Sequence, residues 1–454
     1  MKELDLTQGS VPKVLLQFAV PFLIANVLQA LYGGADLFVV GQYDDSAGVA
    51  AVAIGSQVMQ TITGIVLGIT TGTTVLIAIA TGAKDNRKVA FTIGSSVWLF
   101  SITGVVLTLV MVLFHSRIAE LMHTPVEAMV DTKNYILVCS LGILFIVGYN
   151  VVCGILRGLG DSKTPLYFVG LACVINIVLD FILVGYFHWG AAGAAIATVS
   201  AQGVSFGIAL WFLYRHGFHF DFSRKDIRLN RNLSKKILVL GAPIALQDAL
   251  INVSFLIITV IVNQMGVIAS ASLGVVEKII VFAMLPPMAI SSAVATMTAQ
   301  NYGAGLIKRM NKCLASGIGI ALIFGVSVCV YSQFLPETLT AFFTKDAAVV
   351  AMAADYLRGY SIDCIIVSFV FCINSYFSGQ GNSLFPMIHS LIATFLFRIP
   401  LSYWFSQIDS SSLFIMGFAP PISTVVSLLI CIWYLRYTQR KLYLRGTMMP
   451  AMSN

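Results

Sequence analysis

A succession of long apolar stretches, separated by short polar ones, limits this 454-residue chain more than any single motif does. A hydrocarbon core of about 30 Å takes roughly 20 apolar residues per helix. On that measure spans fall at 14–40, 47–72, 88–113, 133–155, 165–186, 191–214, 236–263, 268–298, 313–335, 349–376, 386–406 and 415–437. The chain is 58% hydrophobic and only 10% charged, whereas soluble domains carry about 25% charged residues. A cytosolic enzyme, a secreted domain and a disordered chain are therefore excluded. An outer-membrane barrel would alternate in segments of about ten residues, and no such pattern occurs. The expected fold is an all-α integral membrane protein with twelve transmembrane helices.

The eight cysteines all sit inside apolar stretches with no CxxC, so neither a disulfide framework nor a zinc site is expected. The opening MKELDLTQGSVPKVLL mixes acids with lysines and lacks a cleavage site, and reads as a retained cytoplasmic leader. The formal net charge of +7 has a topological explanation. With the N-terminus inside, 21 of the 27 basic residues fall on the cytoplasmic side: Lys2, Lys13, Lys84, Arg87, Lys88, Arg157, Lys163, Arg215, Arg224, Lys225, Arg228, Arg231, Lys235, Lys236, Lys308, Arg309, Lys312, Arg436, Arg440, Lys441 and Arg445. The positive-inside rule then places both termini in the cytoplasm of a multi-pass cell (inner or plasma) membrane protein. The lipid bilayer is the partner this charge requires, and nucleic acid is not. A monomer is the default.

The chain also repeats itself. RGLGDSKTP (157–165) aligns with FSGQGNSLFP (377–386), so that Gly158, Gly160 and Pro165 meet Gly379, Gly381 and Pro386, each 221 residues later. Gly82 meets Gly303 and Tyr135 meets Tyr356 at the same offset, while Pro21 meets Pro243 at 222. A six-helix repeat crosses the membrane in the same sense both times, giving two bundles related by a pseudo-twofold axis along the membrane normal. The domains are expected at 1–214 (first lobe), 215–235 (cytoplasmic linker) and 236–454 (second lobe with a short cytoplasmic tail). A substrate cleft belongs at the interface of such repeats. The glycine turns LRGLGD and SGQGNS lack the ending of a phosphate loop and read as tight helix-to-helix turns.

Ionisable groups at bilayer depth cost roughly 2.5–3.5 kcal/mol each on insertion scales, so each marks a candidate site. Asp36 lies in span 1, Asn176 and Asp180 lie four apart in span 5, and Thr198 lies in span 6. Asp36 and Asp180 fall roughly 8 Å beneath the outer boundary at 1.5 Å per residue, and Thr198 about as deep. This all-oxygen set suits a hard cation such as sodium. Alternatively the two carboxylates share a proton, since both cannot ionise cheaply in a desolvated site. The coupling ion is thus sodium or a proton, and no cofactor is called for. The second half carries Asp248, Glu277, Lys278, Asp363 and Arg398 as cleft charges, either as rearranging salt bridges or as locked pairs. Pro21, Pro243 and Pro286, with Pro287 beside it, are candidate hinges.

With AVPFLIANVLQALYGGADLFVVG, LRGLGDSKTP, NIVLDFILVG, GAAGAAIATVSAQ and TAQNYGAG in view, the chain resembles the multidrug and toxin extrusion (MATE) family over essentially its whole length. The resemblance implies twelve helices in two lobes, exporting organic cations and amphipathic drugs against inflow of sodium or protons. It is most similar to the prokaryotic DinF-like and MepA-like branch, whose first-lobe site maps onto Asp36, Asn176, Asp180 and Thr198. In another branch a second-lobe acid in helix 7 matters; Asp248 is out of place for it.

Two rival functions remain at this point. A flippase of lipid-linked oligosaccharide precursors would require a strongly basic cleft for pyrophosphate, against which only Lys278 and Arg398 stand at mid-membrane, with Arg358 able to reach the cleft. A membrane-embedded enzyme would require HExxH, GxSxG or a paired-aspartate motif, none of which is present. Of the six histidines, His115, His123, His188, His216 and His219 are expected in loops, and His389 as a packing residue in span 11.

Overall fold

In the computed structural model, residues 4–408 and 412–448 are described, the side chains of 224 and 441–448 aside. The N-terminal Lys2 and the side chains of Arg224, Lys441 and Arg445, counted above among the basic residues, lie outside that description. Among the described residues eleven helices are long and apolar enough to cross a membrane, and a bent pair supplies a twelfth crossing. They are α1 (Val11–Tyr43), α2 (Ser46–Gly82), α3 (Asn86–Leu121), α4 (Met129–Leu141 with Ile143–Leu159), α5 (Lys163–Tyr186) and α6 (Gly190–His216). The second set is α7 (Arg231–Asn263), α8 (Val267–Gly303), α9 (Ile307–Phe334), α10 (Ala347–Gly379), α11 (Leu384–Ile408) and α12 (Met416–Arg440).

Every expected span has its helix, and several helices run further. Span 47–72, for example, belongs to α2, a helix of 37 residues. The apolar run measures hydrocarbon thickness, but a helix continues until a cap ends it. Asp45, Asp85 and Asp346 accept the backbone N–H groups of Gly48, Lys88 and Ala348 at 2.9 Å each and open α2, α3 and α10. Asp161 does the same for Lys163 and Thr164 at the start of α5, at 3.0 Å. Gly160 and Gly381 take positive φ of 99° and 85°, the left-handed conformation glycine adopts without penalty. The two glycine motifs are therefore helix-to-helix turns at repeat-equivalent places.

Two departures from the expected helices have local causes. The span expected to be continuous over 133–155 bends by 48° between Leu141 and Ile143, where Val199 of α6 fills the space a Cβ on Gly142 would take. Both α5 and α11 also contain a π-helical turn, Phe181–Tyr186 and Ala393–Arg398. These turns do not align at the repeat offset. Among the histidines, His115 and His216 fall not in loops but in helices, His115 six residues before the end of α3 and His216 at the end of α6.

The chain divides into two compact units, Met1–Ala249 with Thr296–Met310, and Leu250–Ala295 with Asn311–Asn454. The first is centred on Val40, Val52, Ile77, Phe100, Ile136 and Ala194, and the second on Val262, Val276, Leu357 and Leu413. Their outer surfaces carry exposed aliphatic and aromatic side chains such as Leu113, Leu396, Leu429 and Trp433, which lipid solvates and water does not.

Within the first unit, α2 and α8 cross without side chains between them. A Cβ on Gly82 would collide with the Gln300 carbonyl, and one on Gly303 with the Ile79 carbonyl. Ile79 and Gln300, like Gly82 and Gly303, are partners at the 221-residue offset. Each contact is thus the image of the other, the reciprocity a twofold relation between repeats requires.

Candidate functional site

Four helices of the first unit each contribute a pair of polar side chains one turn apart: Tyr32 and Asp36 on α1, Tyr135 and Cys139 on α4, Asn176 and Asp180 on α5, Thr198 and Gln202 on α6. Residues at i and i+4 share a helix face, so each pair points inward together. The sequence-derived members meet. Thr198 Oγ1 donates to Asp36 Oδ2 at 3.0 Å, and Asn176 Nδ2 reaches Thr198 Oγ1 at 3.4 Å. The Asp180 side chain comes within hydrogen-bonding reach of Asp36. Asp36 is 3% exposed, and Asn176 and Asp180 are fully buried.

The direction of these bonds decides what the cluster lacks. The Asn176 amide donates to Thr198, whose hydroxyl donates to Asp36; that exhausts the donors on this line. Asp36 Oδ1, Asn176 Oδ1 and both Asp180 oxygens are left buried with no donor. An ionised carboxylate accepts only, so two of them facing each other bond only through a shared proton or a cation. Four orphaned oxygens of buried groups amount to a site shaped for positive charge.

Tyr32, Tyr135, Cys139 and Gln202 are not among the expected site residues, and Tyr135 figures in the sequence only as a repeat-equivalent position. Tyr32 contacts Gln202 and Thr198; Tyr135 and Cys139 lie within electrostatic reach of Asp36. Tyr135 is held by Ser56 at 2.9 Å over the space vacated by Gly55. The signal that finds Tyr32 and Gln202 is the four-residue spacing from Asp36 and Thr198.

The remaining expected residues are placed apart from this cluster. Asp248, on α7, is exposed and belongs to the first unit. In the second unit the Arg398 guanidinium lies 4.4 Å over the Phe255 ring. Glu277, which accepts from Thr259 at 3.5 Å, and buried Asp363 both feel its charge. None of Asp248, Glu277, Lys278, Asp363 or Arg398 forms an ion pair within 4.0 Å among the described residues. Arg358 does not reach toward that group. It pairs with Glu337 at 2.7 Å and Asp355 at 3.2 Å. Pro21, Pro243, Pro286 and Pro287 all lie inside continuous helices, where each removes one backbone hydrogen bond. His389 is buried and held by Ser427 at 2.8 Å and Asn374 at 2.7 Å, a packed and satisfied residue.

Comparison with known proteins agrees with this architecture. The MatE family model matches residues 21–182 and again 243–404, two copies 222 residues apart. The chain is 29% identical to the probable multidrug resistance protein YpnP of Bacillus subtilis (strain 168), over 89% of this chain and 91% of that one. It is 27% identical to the probable multidrug resistance protein NorM of Thermotoga maritima, over 86% and 85% of the two chains. Against the multidrug export protein MepA of Staphylococcus aureus (strain NCTC 8325 / PS 47) the figures are 25% identity over 82% of each. Among solved structures, a MATE protein in complex with MaL6 superposes with a TM-score of 0.91 at 23% identity, covering 97% of this chain and 99% of the other. An outward-facing multidrug resistance MATE transporter gives the same TM-score, identity and coverage. With its duplicated family match and twelve membrane crossings, the chain belongs to the MATE family of multi-pass membrane transporters.

Proposed function

We propose that this transporter exports organic cations and amphipathic drugs from the cell by alternating access, driven by inward movement of sodium or protons. The drug class comes from the multidrug export and resistance proteins it is similar to; the coupling comes from the cluster at Asp36. The observation that carries the reading is the buried pair Asp36 and Asp180: three of their four carboxylate oxygens have no donor, and the fourth accepts from Thr198, which Asn176 reaches in turn. Scaffolding does not call for two uncompensated carboxylates at this depth.

In this mechanism an ion entering from outside bridges the two carboxylates and draws α1 toward α5 and α6. Pro21 leaves α1 one backbone bond short and so supplies the bend. The ion-bound packing of the first lobe has lower affinity for drug, and the drug leaves. Drug and ion need no shared atoms, only opposite preferences for the two states. Turning a population from 1:99 to 99:1 requires about 5.5 kcal/mol of differential binding, which the ion supplies by preferring one packing of the lobe that strongly over the other. The protein functions as a monomer in the inner or plasma membrane, with both termini cytoplasmic.

The test is efflux of a fluorescent organic cation from proteoliposomes with sodium and pH gradients imposed separately. One gradient should drive efflux in the wild type, and Asp36→Asn or Asp180→Asn should abolish that drive. Gradient-driven efflux that survives both substitutions would falsify the coupling assignment.

A further inference from the structure

The residues ahead of α1 are held from several directions at once, all within the first unit. Leu6 is completely buried. Arg309 of α9 directs its guanidinium at three carbonyls of this short stretch: Nη1 donates to Gly9 O at 2.6 Å, Nη2 to Gln8 O, and Nη2 and Nε to Leu6 O at 3.3 and 3.4 Å. Asn301, near the end of α8, donates from Nδ2 to the same Leu6 carbonyl at 3.1 Å. On the opposite side the Leu4 N–H donates to Gly160 O at 3.3 Å. Next to it Gln300 Nε2 donates to Gly158 O at 3.1 Å. The path itself is curled so that the carbonyls converge. Asp5 Oδ1 accepts from the Thr7 N–H at 2.8 Å, and Gly9 turns back at a φ of +74°.

We propose that this leader is a strap across the cytoplasmic side of the transporter, that Arg309 and Asn301 are its clasp, and that opening toward the cytoplasm requires its release. The proposal rests on the orientation and alternating access given above. Its physical basis is the position of the strap. It joins the turn between α4 and α5 to the end of α8, beside the place where Gly82 and Gly303 bring α2 and α8 into backbone contact. That crossing leaves no room for a solute, so admitting a drug from the cytoplasm means parting it, and the strap ties α8 to the end of α4, which packs on α2 at Gly158. The leader runs directly into α1, the helix that carries Asp36. A bend in α1 on ion binding therefore pulls on the strap, linking the ion site to the opposite face through one continuous segment. Arg309 is a positioning residue: it touches neither drug nor ion. Its partners are backbone carbonyls, so the hold depends on the fork geometry of the guanidinium and not on charge alone.

The reporter is Thr81→Cys, in α2 beside the crossing, where the native hydroxyl oxygen is buried. The full-length protein in inside-out vesicles is treated with a membrane-impermeant thiol reagent. All eight native cysteines are buried and give a low background. Adding Arg309→Gln should raise the labelling rate at Thr81→Cys on the order of tenfold, the shift that about 1.4 kcal/mol produces. Asn301→Ala should act in the same direction, and Arg309→Lys should fall between Arg309→Gln and the wild type. Labelling of the native cysteines marks a variant that has unfolded, and the other variant then decides. Unchanged labelling at Thr81→Cys in a variant whose native cysteines stay protected overturns the strap. Because labelling requires no transport, a wild type that exports nothing would refute the proposed function while leaving this measurement intact.

Discussion

Replacing Asp36 with asparagine should make the ion-free protein more stable, not less. In the structure Asp36 receives one hydrogen bond, from Thr198 at 3.0 Å, while its Oδ1 and both oxygens of Asp180 receive none. Each buried acceptor without a donor costs about 1–3 kcal/mol. An asparagine keeps the acceptor facing Thr198 and turns its amide N–H toward Asp180. That removes one buried charge and creates a hydrogen bond to a carboxylate, a type of bond that contributes about 1.5–3 kcal/mol. Asp36→Asn should therefore gain roughly 2 kcal/mol in the absence of a coupling ion. The wild type recovers the deficit when its ion binds, since a ligand at a hundred times its Kd stabilises by about 2.7 kcal/mol. The assay is thermal unfolding in detergent, titrated with sodium at fixed pH and with protons at fixed sodium. Wild-type unfolding should shift upward with one of the two, and Asp36→Asn should start higher and stay flat. An Asp36→Asn protein that keeps the full ion-dependent shift would refute the reasoning, because the shift would then originate elsewhere.

Thr198→Val conserves shape but removes the donor to Asp36 and the acceptor for Asn176; apparent affinity for the coupling ion should fall about tenfold, read from the same titration. Gly303→Ala drives a Cβ into the Ile79 carbonyl and should cost about 1–3 kcal/mol of stability, with Gly82→Ala equivalent because its contact is the symmetric one; thermal unfolding checks both. His389→Phe strips Asn374 and Ser427 of their partner and should destabilise by about 1–3 kcal/mol while leaving the ion-dependent shift unaltered. Pro21→Ala restores a backbone hydrogen bond in α1; equilibrium ion binding should persist while ion-driven efflux slows, which proteoliposome kinetics measure.

Much of this arrangement is visible before any coordinates. A membrane span is a local property: hydrocarbon demands about 20 apolar residues in a row whatever their neighbours do, which is why all twelve crossings could be placed from composition along the chain. The repeat was likewise legible, because glycine and proline at turns are chosen by backbone geometry and persist at a near-constant offset. Buried charge was legible too, since Asp36 and Asp180 are conspicuous where lipid excludes ions. The bend at Gly142 was not, for it answers to Val199 on another helix. Nor was the pairing of Arg358 with Glu337, which depends on where the short helix Pro336–Thr340 lies.

The amino-acid order by itself determined the number of crossings, their duplication and the depth of the acidic groups, each being a matter of solvation along one dimension. Only the tertiary structure decided who faces whom: that the Asn176 amide and Thr198 hydroxyl spend their donors in one direction and leave four oxygens bare. It also decided that Gly82 and Gly303 mark the crossing of α2 and α8, and that Arg309 closes on the carbonyls of a leader some three hundred residues away. Hydrogen-bond direction and backbone approach are relations between elements, and no stretch of a single helix encodes them alone.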